Sequence, residues 1–167
     1  IGYGLGMHER RRVLVVDIGG GTAHVALVEL TARGIEKGNC DVVGKEGRAT
    51  GGNAVDRWLL EEFCLELDYP LFGEEPASSD GEFWRRLMLS EACRVKEALH
   101  FQPAETFYMT PPEEMRQFEA RLRGESSPLE VTRERLVEVL TTRGLYRMIE
   151  ECVAGVLAQA KVADGAV

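Results

Sequence analysis

Two apolar runs separated by a glycine-rich break dominate the first part of the chain. Val13-Leu14-Val15-Val16 is largely β-branched and uninterrupted, as a buried strand should be. Asp17 ends that run, Gly19-Gly20-Gly21-Thr22 follows, and a second apolar run extends from Ala23 through Leu30. This pattern predicts strands over 13–17 and 23–30 joined by a glycine turn. Thr31-Ala32-Arg33-Gly34 reads as a turn, and Cys40 to Gly47 as a third strand weakened by its glycines. Sequential strands with short connections predict an antiparallel meander.

The period then changes. Val55, Trp58, Leu59 and Phe63 recur at helical spacing, predicting a helix over 53–67 with Asn53 as its N-cap. Tyr69 to Gly81 is rich in proline, glycine and serine and reads as a loop between two subdomains. Trp84, Leu87, Met88, Ala92, Val95 and Leu99 form an apolar stripe, so a second helix is expected from Asp80, its N-cap candidate, to about His100. Residues 104–110 alternate as a strand, with Phe107 and Met109 on one face and Thr106 and Tyr108 on the other, until Pro111-Pro112 stops it. A short charged helix over 113–123 and a strand over 128–132 come next. Thr132 is placed to cap a helix carrying Leu136, Val137 and Leu140; Gly144 breaks it, and Met148, Ile149, Cys152, Val153, Val156 and Leu157 continue as another to about Val162. No internal repeat is present.

At 167 residues the chain is long enough to bury a sizeable core. The net charge of −8 argues against nucleic acid as the main partner and fits a cytoplasmic protein. No apolar run approaches the ~20 residues needed to cross a bilayer, and there is no secretory signal, so no membrane partner is expected. Arg10-Arg11-Arg12 reads as a solvated turn before the first strand. Cys40, Cys64, Cys93 and Cys152 lack zinc-site spacing and read as reduced, largely buried thiols. His8, His24 and His100 form no local cluster. The chain opens on Ile1 without Met and stops at Gly165-Ala166-Val167, so a piece of a longer protein is expected.

The glycine turn has two readings. Consecutive glycines serve a hairpin turn for geometry alone. They also present several N–H groups in one concavity, and such a nest binds anions. Asp17 before the glycines and Thr22 after them place an acid and a hydroxyl beside a phosphate-sized turn, as metal-assisted phosphoryl chemistry requires.

In order, the chain carries a strand, Asp17-Ile18-Gly19-Gly20-Gly21-Thr22, a second and a third strand, and Gly51-Gly52-x-x-x-Asp56 opening a helix. A long helix with Leu89-Ser90-Glu91-Ala92-Cys93-Arg94-Val95-Lys96-Glu97-Ala98-Leu99 follows, then Leu129-Glu130-Val131-Thr132-Arg133-Glu134-Arg135-Leu136. This arrangement resembles the second lobe of the ATPase domain of the seventy-kilodalton heat-shock chaperones (DnaK-like), within the actin-like ATPase superfamily. Tyr3-Gly4-Leu5 fits as well. The resemblance implies an α/β fold: an actin-like (ribonuclease H-like) ATPase lobe with a small α+β subdomain, a fragment of a larger nucleotide-binding domain. The sheet-plus-helix part is expected at 1–69 and 136–167, and the small α+β cap at 70–135. An open sheet edge is expected, and with it a fragment dimer.

The resemblance also implies site residues. Asp17 and Thr22 are the expected catalytic residues, with Asp17 reaching Mg²⁺ through water. Gly19, Gly20, Gly21 and Thr22 cradle phosphates, Gly51 and Gly52 approach the nucleotide, and the helix bearing Cys93, Lys96 and Glu97 covers adenosine. The implied cofactor is ATP or ADP with Mg²⁺ in the parent protein, and the fragment alone need hold none. Implied partners are the missing first lobe, unfolded clients in the stress response, and co-chaperones. ATP lies between two lobes in this family, so the piece alone is expected to lack meaningful ATPase activity. Several positions depart from the family pattern. His24 replaces a second acid, Asn53-Ala54 an acidic pair, Cys93 a glutamate, and Glu97 and His100 stand where some members have an arginine and a serine. Two alternatives therefore accompany the chaperone reading: an actin-like bacterial cytoskeletal ATPase and a degenerate pseudo-ATPase scaffold.

Overall fold

The computed structural model describes residues 10–67, 79–108 and 128–160. Its elements run β1 (Arg11–Ile18), β2 (Ala23–Leu30), α1 (Ala32–Glu36), β3 (Asp41–Arg48), α2 (Gly52–Glu66), α3 (Ser79–Ala98), β4 (Ala104–Phe107), β5 (Leu129–Thr132), α4 (Arg133–Thr142) and α5 (Leu145–Gln159). The result is a mixed α/β fold with two small antiparallel sheets, ordered β1-β2-β3 and β4-β5. None of the described helices is long and apolar enough to cross a membrane. The helix expected over 113–123 lies outside the described residues.

The alternation along β2 decides what the first sheet covers. Ala23, Val25 and Leu27 are buried, while His24, between the first two, is exposed. Val25 and Leu27 pack with Cys152, Val156 and Leu157 of α5, flanked by Leu14, Val43, Val153 and Ala160. Gly44 lets the helix lie directly on β3, since a Cβ there would sit 2.6 Å from the Val156 carbonyl oxygen. Gln159 fixes the contact by donating from Nε2 to Glu46 Oε1 (2.7 Å) and accepting the Lys45 N–H at Oε1 (3.1 Å).

Where the sequence predicts only a turn at 31–34, the structure has the short helix α1. Thr31 caps it, its Oγ1 accepting the Gly34 N–H at 3.1 Å. A Cβ on Gly34 would lie 2.8 Å from the Asn39 carbonyl oxygen, and Gly38 carries the chain out at φ 68°.

The second unit is built from α2, α3, β4, β5 and α4. This differs from the sequence division, which grouped α2 and α4 with the first sheet. The physical reason is side-chain chemistry that periodicity does not display. Phe63 of α2 packs on Phe107 of β4, ring centroids 4.6 Å apart and tilted by 47°. Arg135 and Arg143 reach Glu62 of α2 at 3.3 and 2.9 Å, tying the last turns of α2 to α4. At the start of α4 the Arg133 side chain turns back on the end of α3: Nε donates to the Leu99 carbonyl (2.8 Å) and a terminal nitrogen to that of Gln102 (3.1 Å). Two cap expectations shift. Asn53 lies inside α2, which begins at Gly52, and Asp80 lies inside α3, which begins at Ser79. Thr132 caps α4 as expected, Oγ1 accepting the Arg135 N–H (3.2 Å), and Gly144 sits between α4 and α5 at φ 80°.

Candidate functional site

The turn between β1 and β2 closes on itself, Gly19 N–H donating to the Thr22 carbonyl at 2.8 Å. Positive φ among the described glycines falls at Gly38 and Gly144, so a left-handed backbone is not what the turn uses its glycines for, and the close approach here comes from elsewhere in the chain. What approaches is Gly51. A Cβ there would lie 2.4 Å from the carbonyl oxygen of Gly19, 2.8 Å from that of Gly20 and 2.9 Å from the Thr22 nitrogen. Gly52 N–H donates to the Gly19 carbonyl at 2.9 Å. Two glycine motifs far apart in sequence therefore meet backbone to backbone. The N–H groups of Gly20, Gly21 and Thr22 have no hydrogen-bond partner among the described residues, and the space a Gly21 Cβ would occupy is open to 4 Å. N–H groups without a protein partner in an exposed turn are available to an anion.

Asp17 is exposed near the end of β1, opposite His24 in register. The His24 imidazole spreads over Gly47 of β3: a Cβ on Gly47 would come 2.8 Å from Nδ1 and 3.2 Å from Cε1. No group of three or more His, Cys, Asp or Glu among the described residues is arranged to hold a metal directly. A single carboxylate at the turn matches Mg²⁺ better, because this ion keeps several waters and takes one or two carboxylates plus phosphate oxygens.

The residues expected on the adenosine side belong to the second unit and share one stripe of α3. Cys93 and Glu97 are one turn apart, the thiol donating to Glu97 Oε1 at 3.6 Å. Burial pushes the Cys93 thiol above its ordinary value, the nearby Asp56 charge adds to this, and Lys96 opposes it. Lys96 Nζ lies 2.6 Å from Asp56 Oδ1, with only 17% and 11% of the two side chains exposed. Glu97 and His100 are exposed. Asp56 is the residue that sequence reasoning missed as a site member; it stood only as the last letter of the Gly51-Gly52 motif. The available signal was its place among buried Ala54, Val55 and Leu59, where an acid must find a partner.

Asp17, Gly19, Gly20, Gly21, Thr22, Gly51 and Gly52, the residues expected from the sequence to lie near phosphate, thus gather at one end of the first sheet. Cys93, Lys96 and Glu97 gather on α3 together with Asp56. Among curated relatives, the Chaperone protein HscA homolog of Pseudomonas putida is 32% identical over 104 residues, covering 59% of this chain. The matched region is 14% of that relative's length. The family described as Hsp70 protein matches residues 1–167, the whole sequence. With its strand order, both glycine motifs and this match in agreement, the chain belongs to the Hsp70 protein family.

Proposed function

We propose that the chain forms part of the ATP-binding domain of a heat-shock-type molecular chaperone, as a portion of an actin-like second lobe. Two contributions are argued separately, one in each unit. In the first, the turn at residues 19–22 receives nucleotide phosphates. The observation that carries this reading is the seating of Gly51 on Gly19 and Gly20, which allows no side chain, beside N–H groups of Gly20, Gly21 and Thr22 that take no partner among the described residues. Those donors offset phosphate charge where it lies. The Thr22 hydroxyl adds a further polar contact, and Asp17 accepts from a water in the same place. Mg²⁺, when bound, neutralises phosphate charge. In the second unit, the α3 stripe of Cys93, Lys96 and Glu97 meets the sugar and base. The parent protein would use nucleotide occupancy to switch its hold on unfolded clients, in concert with co-chaperones.

Membership of the Hsp70 family favours this reading over a cytoskeletal filament protein. A second reading, nucleotide binding without turnover, is favoured by His24 and Glu97. An imidazole over Gly47 replaces an acid beside the turn, and an exposed carboxylate cannot stack on a base as an arginine does. Calorimetric titration of the full-length protein with ATP and ADP, paired with a phosphate-release assay, separates the two. Binding with turnover supports the chaperone ATPase, binding without turnover supports the second reading, and no binding of either nucleotide refutes both.

A further inference from the structure

We propose that His24 is an anion-binding residue: its imidazole donates to a polyphosphate held on the turn at 19–22 and so lowers the need for a metal ion there. This rests on the phosphate reading of the turn above and adds a residue to it. His24 stands directly opposite Asp17 on the antiparallel pair β1–β2, so the two side chains leave the same face of the sheet. Both residues are exposed, yet no hydrogen bond or ion pair joins them, and neither side chain has another partner among the described residues. The imidazole lies instead over Gly47, its partner on β3, where a missing side chain leaves room for Nδ1 and Cε1. An acid and an imidazole that face the same solvent without pairing are both left for a third group.

The turn supplies the direction. His24 is two residues along β2 from Thr22, whose N–H, with those of Gly20 and Gly21, takes no partner among the described residues. A polyphosphate held on those N–H groups and extending along the strand pair meets a carboxylate from Asp17 and a donor from His24. Imidazole carries an N–H in either charge state, and a hydrogen bond to an ionised oxygen is about twice as strong as a neutral one. Arg48, at the end of β3, is taken by Glu46 at 3.2 Å. An acid at position 24 would put two carboxylates against the anion, an arrangement that calls for a cation between them. His24 removes one of those carboxylates and puts a donor in its place.

Three variants of the full-length protein test this: His24→Ala, His24→Asp and His24→Gln. Each is titrated calorimetrically with inorganic tripolyphosphate, with and without Mg²⁺, and each is melted. Without Mg²⁺, His24→Ala is expected to bind about tenfold more weakly than the parent, the worth of one hydrogen bond to a charged group. His24→Asp is weaker still without Mg²⁺ and recovers to within about threefold of the parent when Mg²⁺ is added. His24→Gln keeps an N–H donor and stays within about threefold of the parent in both conditions. Because position 24 is exposed, the melting temperatures should stay close to the parent's. The proposal is overturned if His24→Ala binds like the parent without Mg²⁺, if His24→Asp loses the same factor with and without Mg²⁺, or if the unsubstituted protein binds tripolyphosphate only when Mg²⁺ is present. Should His24→Asp fail to fold, the other two variants decide: equal weakening of His24→Ala and His24→Gln without Mg²⁺ overturns it. If the unsubstituted protein binds no tripolyphosphate in either condition, the phosphate reading of the turn itself fails, and this is distinct from failure at His24 alone.

Discussion

Gly51→Ala tests the backbone seat of the turn. The added methyl would lie 2.4 Å from the Gly19 carbonyl oxygen, 2.8 Å from that of Gly20 and 2.9 Å from the Thr22 nitrogen. A relaxed C···O contact begins near about 3.3 Å, so the turn must retreat by roughly 1 Å. All three obstacles are backbone atoms, which cannot rotate aside as a side chain can. Overpacking of this kind costs about 1–3 kcal/mol. Retreat also breaks the bond from Gly52 N–H to the Gly19 carbonyl, now 2.9 Å, for a further ~1 kcal/mol. The expected loss is about 2–4 kcal/mol, a fall of about 1–2 M in urea midpoint for a slope near 2 kcal/mol/M. Gly21→Ala is the control, since its Cβ meets nothing within 4 Å and its φ is not positive. That change should be neutral or stabilising by up to about 1 kcal/mol. Urea unfolding followed by circular dichroism reads both. Equal midpoints for Gly51→Ala and the parent, or a loss at Gly21 matching that at Gly51, would refute the reasoning.

Other expectations are as direct. Arg133→Lys should destabilise the end of α3 by about 1–2 kcal/mol, because an ammonium cannot reproduce the guanidinium fork that serves the carbonyls of Leu99 and Gln102; hydrogen exchange over 99–103 should quicken. Glu91 is held below its ordinary value first by Arg94, whose Nε and terminal nitrogen donate at 2.9 and 2.8 Å, and Glu105 first by the Thr106 N–H at 2.9 Å. Depressed carboxylates contribute stability that is complete above their unfolded value of 4.5 and is lost as pH falls through the lower folded values. The melting temperature should accordingly drop on acidification below about pH 4.5, and drop less steeply in Glu91→Gln. Burial pushes the Cys64 thiol up to about 11, whereas Cys40 is exposed. A thiol reagent near pH 8 should label Cys40 first and leave Cys64 intact in the folded protein, and mass-mapped labelling in which Cys64 reacts as fast would contradict its burial.

Local pattern disclosed the elements well and their partners poorly. The runs around Asp17, the stripe from Met88 to Leu99, Thr132 as a cap and Gly144 as a break all follow from period, capping and glycine chemistry. Helix α1 was missed because it is short and its Thr31 cap and glycines read equally as a turn. The anion reading of the turn rested on Asp17 and Thr22, but its strongest support, Gly51 on Gly19, pairs residues that no periodicity connects. The same holds for Asp56 with Lys96, Glu62 with Arg135 and Arg143, and Phe63 with Phe107: long-range chemistry between helices and strands set both the unit boundary and the α3 stripe. The expectation of largely buried thiols holds for Cys64 and Cys152 and not for Cys40, which follows α1 in an exposed connection.

The imidazole of His24 occupies the room that Gly47 leaves, and this couples the choice of residue at the two positions. An aspartate or glutamate at 24 makes no such demand on its neighbour. With His24 as placed, a Cβ at 47 would lie 2.8 Å from Nδ1, so a side chain there requires the exposed imidazole to turn aside. A single substitution at 24 would return a carboxylate to the position opposite Asp17 and lift that demand on 47.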